Sequence, residues 1–316
     1  MSKQSDYNAL PESIRDLETG ESGVGGQTLK FKLDREHFVK EHLLFLVVSQ
    51  AFTGVPTSVR EGKFIENIIL KTDKRTLIDC SGKALYPLSR VTEAGIKSRV
   101  TLAATSVCTM GIDLHHILDG AKEDLATGLE TSEYNQITLV VKLADDADNG
   151  FIGGTVPLAA SYDLAVTEKS IPGFTGFGIP QGYRTIQEAD ATVTKTGWQP
   201  KHYLETGVQM RFLQMQAETA AGLVSDSLID EIAFDVGEGI ERKISFQRLQ
   251  MVNEGDRDLT LENTGLAYID GGDELDTMID LRSITKKGAY IKVKTTTNTG
   301  VINYTQDSVK MIGEAG

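Results

Sequence analysis

The chain has 316 residues, 40% of them hydrophobic, and a formal net charge of -13 at pH 7. A single hydrophobic core seldom grows beyond about 250–300 residues, so this length predicts two domains. The negative charge disfavours direct contact with nucleic acid, because proteins that coat nucleic acid neutralise its phosphates with clustered Lys and Arg.

Nothing in the sequence indicates a membrane span or a secretory leader. The apolar runs fall short of the roughly 18 residues that a spanning helix needs, and the first residues lack the basic and apolar regions of a signal peptide. We therefore expect a soluble chain that is made in a cytoplasm. Cys80 and Cys108 have no metal-type partner at close spacing, which predicts free thiols.

Residues 1–28 are polar and glycine-rich, and they predict an N-terminal arm. Within the arm, Leu10, Ile14 and Leu17 would share one face of a short amphipathic helix. Helices under about 12 residues rarely persist in water, so this apolar stripe needs a surface to lie on. We predict that these three residues form an interaction site with a neighbouring protein, since an acidic arm suits anionic lipid poorly. The alternative is that the stripe caps its own domain.

Strand patterns follow the arm in two groups. The first group is 41–53, 64–70, 75–79, 99–107, 136–144 and 155–167, and the second is 203–217, 228–236, 240–251, 265–270, 289–296 and 300–311. Between the groups, residues 171–198 contain five glycines and predict a linker. Short strands without alternating helices predict an all-β protein of two antiparallel sandwiches or barrels, with few short helices confined to loops.

No recognisable catalytic, cofactor or metal signature occurs in the sequence. The Gly-x-Ser-x-Gly, His-Glu-x-x-His and phosphate-loop patterns are absent. His115 and His116 are adjacent, but neighbouring side chains on a strand point to opposite faces, which disfavours a shared metal ion. The loop with Asp145, Asp146 and Asp148 does not have the spacing of a calcium loop and predicts a solvated turn. We therefore expect no enzyme.

The second half of the chain resembles the first half in the same order. FIENIILK (64–71) is echoed by LIDEIAFD (228–235), and a Gln-Ala-x-Thr step precedes each copy. The alignment makes Phe64, Ile68 and Leu70 equivalent to Leu228, Ile232 and Phe234. The segments that follow, ALYPLSRVTEAG and ISFQRLQMVNEG, also correspond. The pattern predicts a duplicated β domain, and the alternative is that two unrelated β segments share the composition of strands.

Two β domains in tandem, with an acidic-Thr step leading into the strand of LETSEYNQITLVVKL, resemble the double jelly-roll major capsid proteins of tailless, often membrane-containing icosahedral phages. The opening strand LLFLVVSQAFTG, the FIENIILK segment and GGTVPLAASYDLAVTEKS belong to the same resemblance. It implies a first jelly roll at 29–170 and a second at 199–316. It also implies that three chains form a nearly six-sided capsomer of an icosahedral shell.

This resemblance implies a major capsid protein located in the virion and assembled in the host cytoplasm. Its partners would be two further copies in a homotrimer, neighbouring capsomers, penton and minor capsid proteins and, in membrane-containing relatives, an internal lipid membrane. The alternative is a β-sandwich surface or fibre module that binds a glycan or a protein. A soluble monomer with a ligand on a concave face would favour that alternative.

Overall fold

The computed structural model describes residues 13–33, 35, 37–92, 98–116, 128–147, 149–172, 182–257, 265–271, 278–285 and 287–311. The chain divides into two compact units, Met1–Tyr183 and Arg184–Gly316. The division falls inside the range that was predicted as the linker. Among the described residues, no helix is both long enough and apolar enough to cross a membrane.

In the described residues, the first unit contains two large antiparallel sheets, a small two-stranded sheet, one helix and two 3-10 turns. Its strands are β1 (Ser13–Val24), β2 (Thr28–Lys32), β3 (His37–Gly54), β4 (Ser58–Val59), β5 (Ile65–Thr72), β6 (Thr76–Cys80), β7 (Arg99–Thr101), β8 (Thr105–His115), β9 (Leu129–Glu130), β10 (Ile137–Leu143), β11 (Phe151–Ile152), β12 (Thr155–Pro157) and β13 (Ser161–Pro172). Helix α1 is Gly82–Thr92, and the 3-10 turns are Glu61–Phe64 and Thr131–Glu133. One sheet has the order β1-β13-β3-β8-β7, and the other has the order β2-β10-β5-β6.

The described residues of the second unit form two sheets and one helix. Its strands are β14 (Gly182–Thr192, which spans the boundary), β15 (Gly197–Trp198), β16 (His202–Tyr203), β17 (Gln209–Glu218), β18 (Ile229–Val236), β19 (Arg242–Ser245), β20 (Leu266–Asp270), β21 (Ile279–Asp280), β22 (Ala289–Thr295) and β23 (Val301–Met311). Helix α2 is Phe246–Arg257. One sheet contains β14-β23-β17-β20, and the other contains β15-β22-β18-β19.

The two units have the same topology. In the first unit β3 lies between β13 and β8, and in the second β17 lies between β23 and β20. In the other sheets, β5 lies between β10 and β6, and β18 lies between β22 and β19. Helices α1 and α2 also follow at the same point of each unit, after β6 and β19. The chain is therefore an all-β double jelly roll with short helices in its connections, as predicted.

The aligned core residues occupy equivalent positions in the two units. Ile68 pairs with residues of β6 and β10, and Ile232 pairs with residues of β19 and β22. Both side chains are fully buried, as are Phe64 and Leu70. Phe234 is only partly buried, but it packs against the core of its unit. These equivalent positions support the predicted duplication, which stays a prediction.

The predicted N-terminal helix is wrong, because residues from Ser13 onward form the strand β1. This strand pairs antiparallel with β13 from Ser13 opposite Ser170 to Val24 opposite Ser161. Pairing satisfies the backbone groups along one side of the segment, whereas an isolated short helix with three apolar residues gains little. The first jelly roll therefore begins before residue 29.

The predicted linker is wrong. The range 171–198 is not a continuous linker, because β14 lies within it and takes the place in the second unit that β1 has in the first.

The predicted strand 240–251 is also wrong in its second half. Strand β19 ends at Ser245, and helix α2 begins at Phe246. The Ser245 hydroxyl accepts a hydrogen bond from the Arg248 N–H at 3.3 Å, as expected of a residue that caps a helix N-terminus.

Both cysteines are buried, and neither is in a disulfide bond. Burial raises the pKa of the Cys108 thiol to about 12. Since the thiolate is the reactive form of cysteine, this thiol is inert at neutral pH.

Replacing Ile232 by Ala should lower the free energy of unfolding by about 2–5 kcal/mol, because the fully buried side chain leaves a cavity. Ile240 provides a matched control in the same unit, since it is 62% exposed. Ile240→Ala should change the same free energy by less than about 0.5 kcal/mol. Urea unfolding followed by circular dichroism measures both values. Equal effects would contradict the placement of Ile232 in the core.

Candidate functional site

The three residues predicted to form an interaction site do not form a helical stripe. Leu10 lies outside the described residues. Ile14 and Leu17 lie in β1, where the side chain of Ile14 is exposed. Of the predicted site, the structure therefore places one apolar side chain, Ile14, at the surface.

Strand β1 is the outermost strand of its sheet. Its pairing with β13 shifts register between Asp16 and Glu18 and again between Glu18 and Glu21. Edge strands expose backbone groups that a strand of another chain can pair with, and proteins block this with bulges and charges. Strand β1 has both features, so its free edge is protected against strand addition.

A second exposed surface lies on β3. Its residues alternate, so that Leu44 and Leu46 are buried in the core while Phe45 and Val47 point away from it and are 41% and 37% exposed. Gly111 on β8 and Ala165 on β13 lie opposite Phe45. These small residues leave the aromatic ring open to contact.

The neighbours of Phe45 and Val47 extend this apolar surface. Leu43 precedes them on the same face of β3, and Val107 lies on the same face of β8, opposite Ser49. We call the surface formed by Leu43, Phe45, Val47, Val107 and Ala165 the β3 face. Phe45 and Val47 are its exposed members. Exposed apolar residues that lie side by side mark an interaction site more often than scattered ones do.

Helix α2 carries a third exposed surface. Its buried side consists of Phe246 and Leu249, together with Asn253, whose amide exchanges hydrogen bonds with the backbone of Tyr268. Its exposed side is formed by Gln247, Arg248, Met251 and Val252, and we call it the α2 face. Met251 is 71% exposed, although its side chain is apolar.

A buried histidine pair lies inside the first unit. His42 on β3 and His116, just after β8, bring Nδ1 and Nε2 within 2.8 Å of each other. The other ring nitrogen of His42 lies 3.6 Å from a carboxylate oxygen of Glu168 on β13. Nothing in the sequence indicates that His42 and His116, which are 74 residues apart, lie together.

His42 and His116 form a hydrogen-bonded pair in the core of the first unit. At 2.8 Å one ring nitrogen donates to the other. Among the described residues, no group of three or more His, Cys, Asp and Glu side chains could hold a metal ion.

The acidic loop after β10 is fixed to the end of β3 and is only partly solvated, which corrects the prediction of a solvated turn. The side-chain amide of Gln50 donates to the carbonyl of Asp146 at 3.0 Å, and that of Asn149 donates to Gln50 Oε1 at 2.6 Å. The carboxylate of Asp146 accepts from the Ala160 N–H at 2.9 Å. Asp146 therefore holds the acidic loop in place through hydrogen bonds with Gln50 and Ala160.

The second unit contains a buried ion pair. Arg184 on β14 donates from Nε and Nη2 to the two carboxylate oxygens of Asp307 on β23, both at 2.8 Å. Arg211 on β17 places Nη1 3.9 Å from the same carboxylate. All three side chains are buried. The pair links β14 to its neighbour β23, and nothing in the sequence indicates that these two residues meet.

No family model matches the chain, and no curated protein matches it. Solved structures do share its fold. The major capsid protein of Sulfolobus turreted icosahedral virus has a TM-score of 0.76 and 14% identity, and the match covers 96% of this chain and 97% of that chain. The TM-score establishes a common fold, and at this low identity the match establishes the fold alone.

Two further structures agree with this match over similar lengths. The major capsid protein P2 of bacteriophage PM2 has a TM-score of 0.64 and 13% identity, with coverage of 97% and 100%. The Faustovirus major capsid protein has a TM-score of 0.62 and 8% identity, with coverage of 96% and 90%. The chain thus has the double jelly-roll fold of viral major capsid proteins, which confirms the resemblance inferred from its sequence.

Replacing Asp307 by Ala should lower the free energy of unfolding by about 3–5 kcal/mol, because two buried guanidinium groups lose their counter-charge. Asp280 provides a matched control, since it accepts the same two bonds from Arg282, at 2.9 and 2.8 Å, but at the surface. Asp280→Ala should cost less than about 1 kcal/mol. Chemical unfolding measures both losses. A small loss for Asp307→Ala would show that this ion pair does not stabilise the second unit.

Proposed function

We propose that this protein is the major capsid protein of an icosahedral virus, a building block of the shell without catalytic activity. The observation that carries the proposal is the extent of the structural match. It covers 96% of this chain and 97% of the capsid protein of Sulfolobus turreted icosahedral virus, so both jelly rolls take part in it. A binding module that had borrowed one sandwich would match over one unit.

The proposed functional unit is a homotrimer. Each chain contributes two jelly rolls of the same topology, so three chains present six similar bodies around one axis. Such a trimer is a nearly six-sided tile, which suits close packing in a shell. Closed cyclic symmetry is also the common form of soluble oligomers.

The proposed partners follow from this role. The trimer would contact neighbouring capsomers, penton and minor capsid proteins, and an internal lipid membrane where the virus has one. The net charge of -13 supports a shell that does not bind the genome directly. The proposed location is the virion, after assembly in the host cytoplasm.

We also propose that Leu10, Ile14 and Leu17 contact a protein outside the capsomer. The exposure of Ile14 on the outermost strand supports this assignment. The bulges and acidic residues of β1 favour contact through side chains over strand addition. A protein neighbour therefore suits the segment better than an anionic membrane does.

The purified protein should have three times the 34.4 kDa mass of the chain in light scattering. Negative-stain images should show six-sided particles or shells. A chain that stays monomeric at every concentration and forms no shells would contradict the proposal. That outcome would favour the alternative of a β-sandwich module that binds a glycan or a protein.

Ile14→Asp should leave the trimer intact and reduce shell assembly, because it places a charge on a surface proposed to meet a neighbouring protein. The matched control is Val24→Asp, an exposed apolar residue at the other end of the same strand. Sedimentation separates trimers from shells. Normal shell yield with Ile14→Asp would remove Ile14 from the assembly contact without affecting the trimer.

A further inference from the structure

The shared topology of the two units allows each surface of one unit to be compared with its counterpart in the other. Strand β3 corresponds to β17, since each is the central strand between equivalent neighbours. Helix α1 corresponds to α2, since each follows the same hairpin. A surface exposed in one unit and buried in the other therefore points to a contact that remains to be made.

The two central strands differ in this way. On β3, Phe45 and Val47 are exposed on the side facing away from the core. On β17, each residue from Gln209 to Glu218 is buried, including those that alternate away from the core of its unit. Of the outward faces of β3 and β17, that of β3 is thus the uncovered one.

The two helices differ in the opposite way. In α1, none of the residues 82–90 is exposed. In α2, Gln247, Arg248, Met251 and Val252 are all exposed. The α2 face is thus the uncovered member of this pair, and it lies on the unit whose sheet face is covered.

Among the described residues, the β3 face on the first unit and the α2 face on the second are therefore the uncovered surfaces of this comparison. We propose that the β3 face of one copy packs against the α2 face of the next copy. The inference rests on the proposed function and names the contact that builds the trimer. Such a contact joins two different surfaces, and it closes into a ring when the rotation between copies fits.

The chemistry of the two faces supports a second copy as the occupant. The β3 face exposes Phe45 and Val47, and the small residues Gly111 and Ala165 lie opposite Phe45. On the α2 face, Met251 has a flexible side chain that can fill an irregular apolar surface. Charges are also complementary, because the exposed Asp163 lies opposite Val47 and Arg248 is exposed on α2. Opposite charges at an interface fix its register and exclude wrong partners.

The test uses the full chain with one charged substitution on each face. Val47→Asp places a negative charge in the β3 face, and Met251→Asp places one in the α2 face. Each substitution should weaken association at least about 100-fold, because it buries an unpaired charge in the contact, and each variant should be a monomer. Leu158→Asp is the control, since Leu158 is 57% exposed and lies outside both faces, and it should remain trimeric.

Mixing the two variants identifies the geometry. Val47→Asp chains retain an intact α2 face and Met251→Asp chains retain an intact β3 face, so an equal mixture should form dimers that neither variant forms alone. Native mass spectrometry distinguishes monomer, dimer and trimer. A mixture that stays monomeric would overturn the head-to-tail contact.

Three other outcomes are informative. If either variant remains trimeric, the proposed contact is wrong while the homotrimer stands. If the unmodified protein is itself monomeric, the proposed function fails first, and this measurement is independent of the variants. If Val47→Asp loses the circular dichroism spectrum of the native protein, Phe45→Ser replaces it, and a trimeric Phe45→Ser chain would overturn the assignment of the β3 face.

Discussion

The first unit depends on the pairing of β3, an 18-residue strand with a hydrogen-bonded neighbour on each side. A buried backbone group without a partner costs about 1–3 kcal/mol, so a strand of this length is stable in a core only between two others. Its pairing with β8 and β13 also sets which side chains face inward. His42 and Leu44 point into the core, and Phe45 points out. A slip of one residue would exchange the two sets and expose the core.

The two units share a topology but not their buried polar groups. Each unit buries a carboxylate on an equivalent strand, Glu168 on β13 and Asp307 on β23. In the first unit the ring of His42, from β3, lies 3.6 Å from the carboxylate of Glu168. In the second unit the guanidinium of Arg184 lies 2.8 Å from the carboxylate of Asp307, and that of Arg211 on β17 lies 3.9 Å from it. The duplicated framework thus holds a buried acid in corresponding strands, while each half supplies a different partner.

The parts of the fold that could be predicted from sequence are those in which the side-chain pattern alone decides. Ile68 and Ile232 lie in short segments rich in apolar strand formers, and that composition is visible in the residues themselves. Strands β1 and β14 were missed because they are rich in polar residues and are held by backbone hydrogen bonds, which no side-chain pattern records. The start of helix α2 was predicted as a strand because a short apolar segment fits both the helical period and the strand period. Its packing in the folded unit then decides between them.

The candidate site was less predictable than the fold, because its members come from separate segments. His42 meets His116 only once β3 and β8 have paired, and Arg184 meets Asp307 only once β14 lies beside β23. The β3 face could not be read from the sequence either. LLFLVVSQAF is apolar on both sides, so its pattern does not say which side stays exposed. Only the burial of Leu44 and Leu46 distinguishes Phe45 and Val47 as surface residues.

The presence of both jelly rolls on one chain has a consequence for the entropy of assembly. Each body that joins a complex loses translational and rotational freedom, at a cost estimated at about 4–15 kcal/mol. A six-bodied tile made from separate jelly rolls would incur this loss five times, whereas three tandem chains incur it twice. The peptide link also guarantees equal numbers of the two halves. Because each jelly roll has its own segment of the chain, a substitution in β3 leaves β17 unchanged, and one in α2 leaves α1 unchanged.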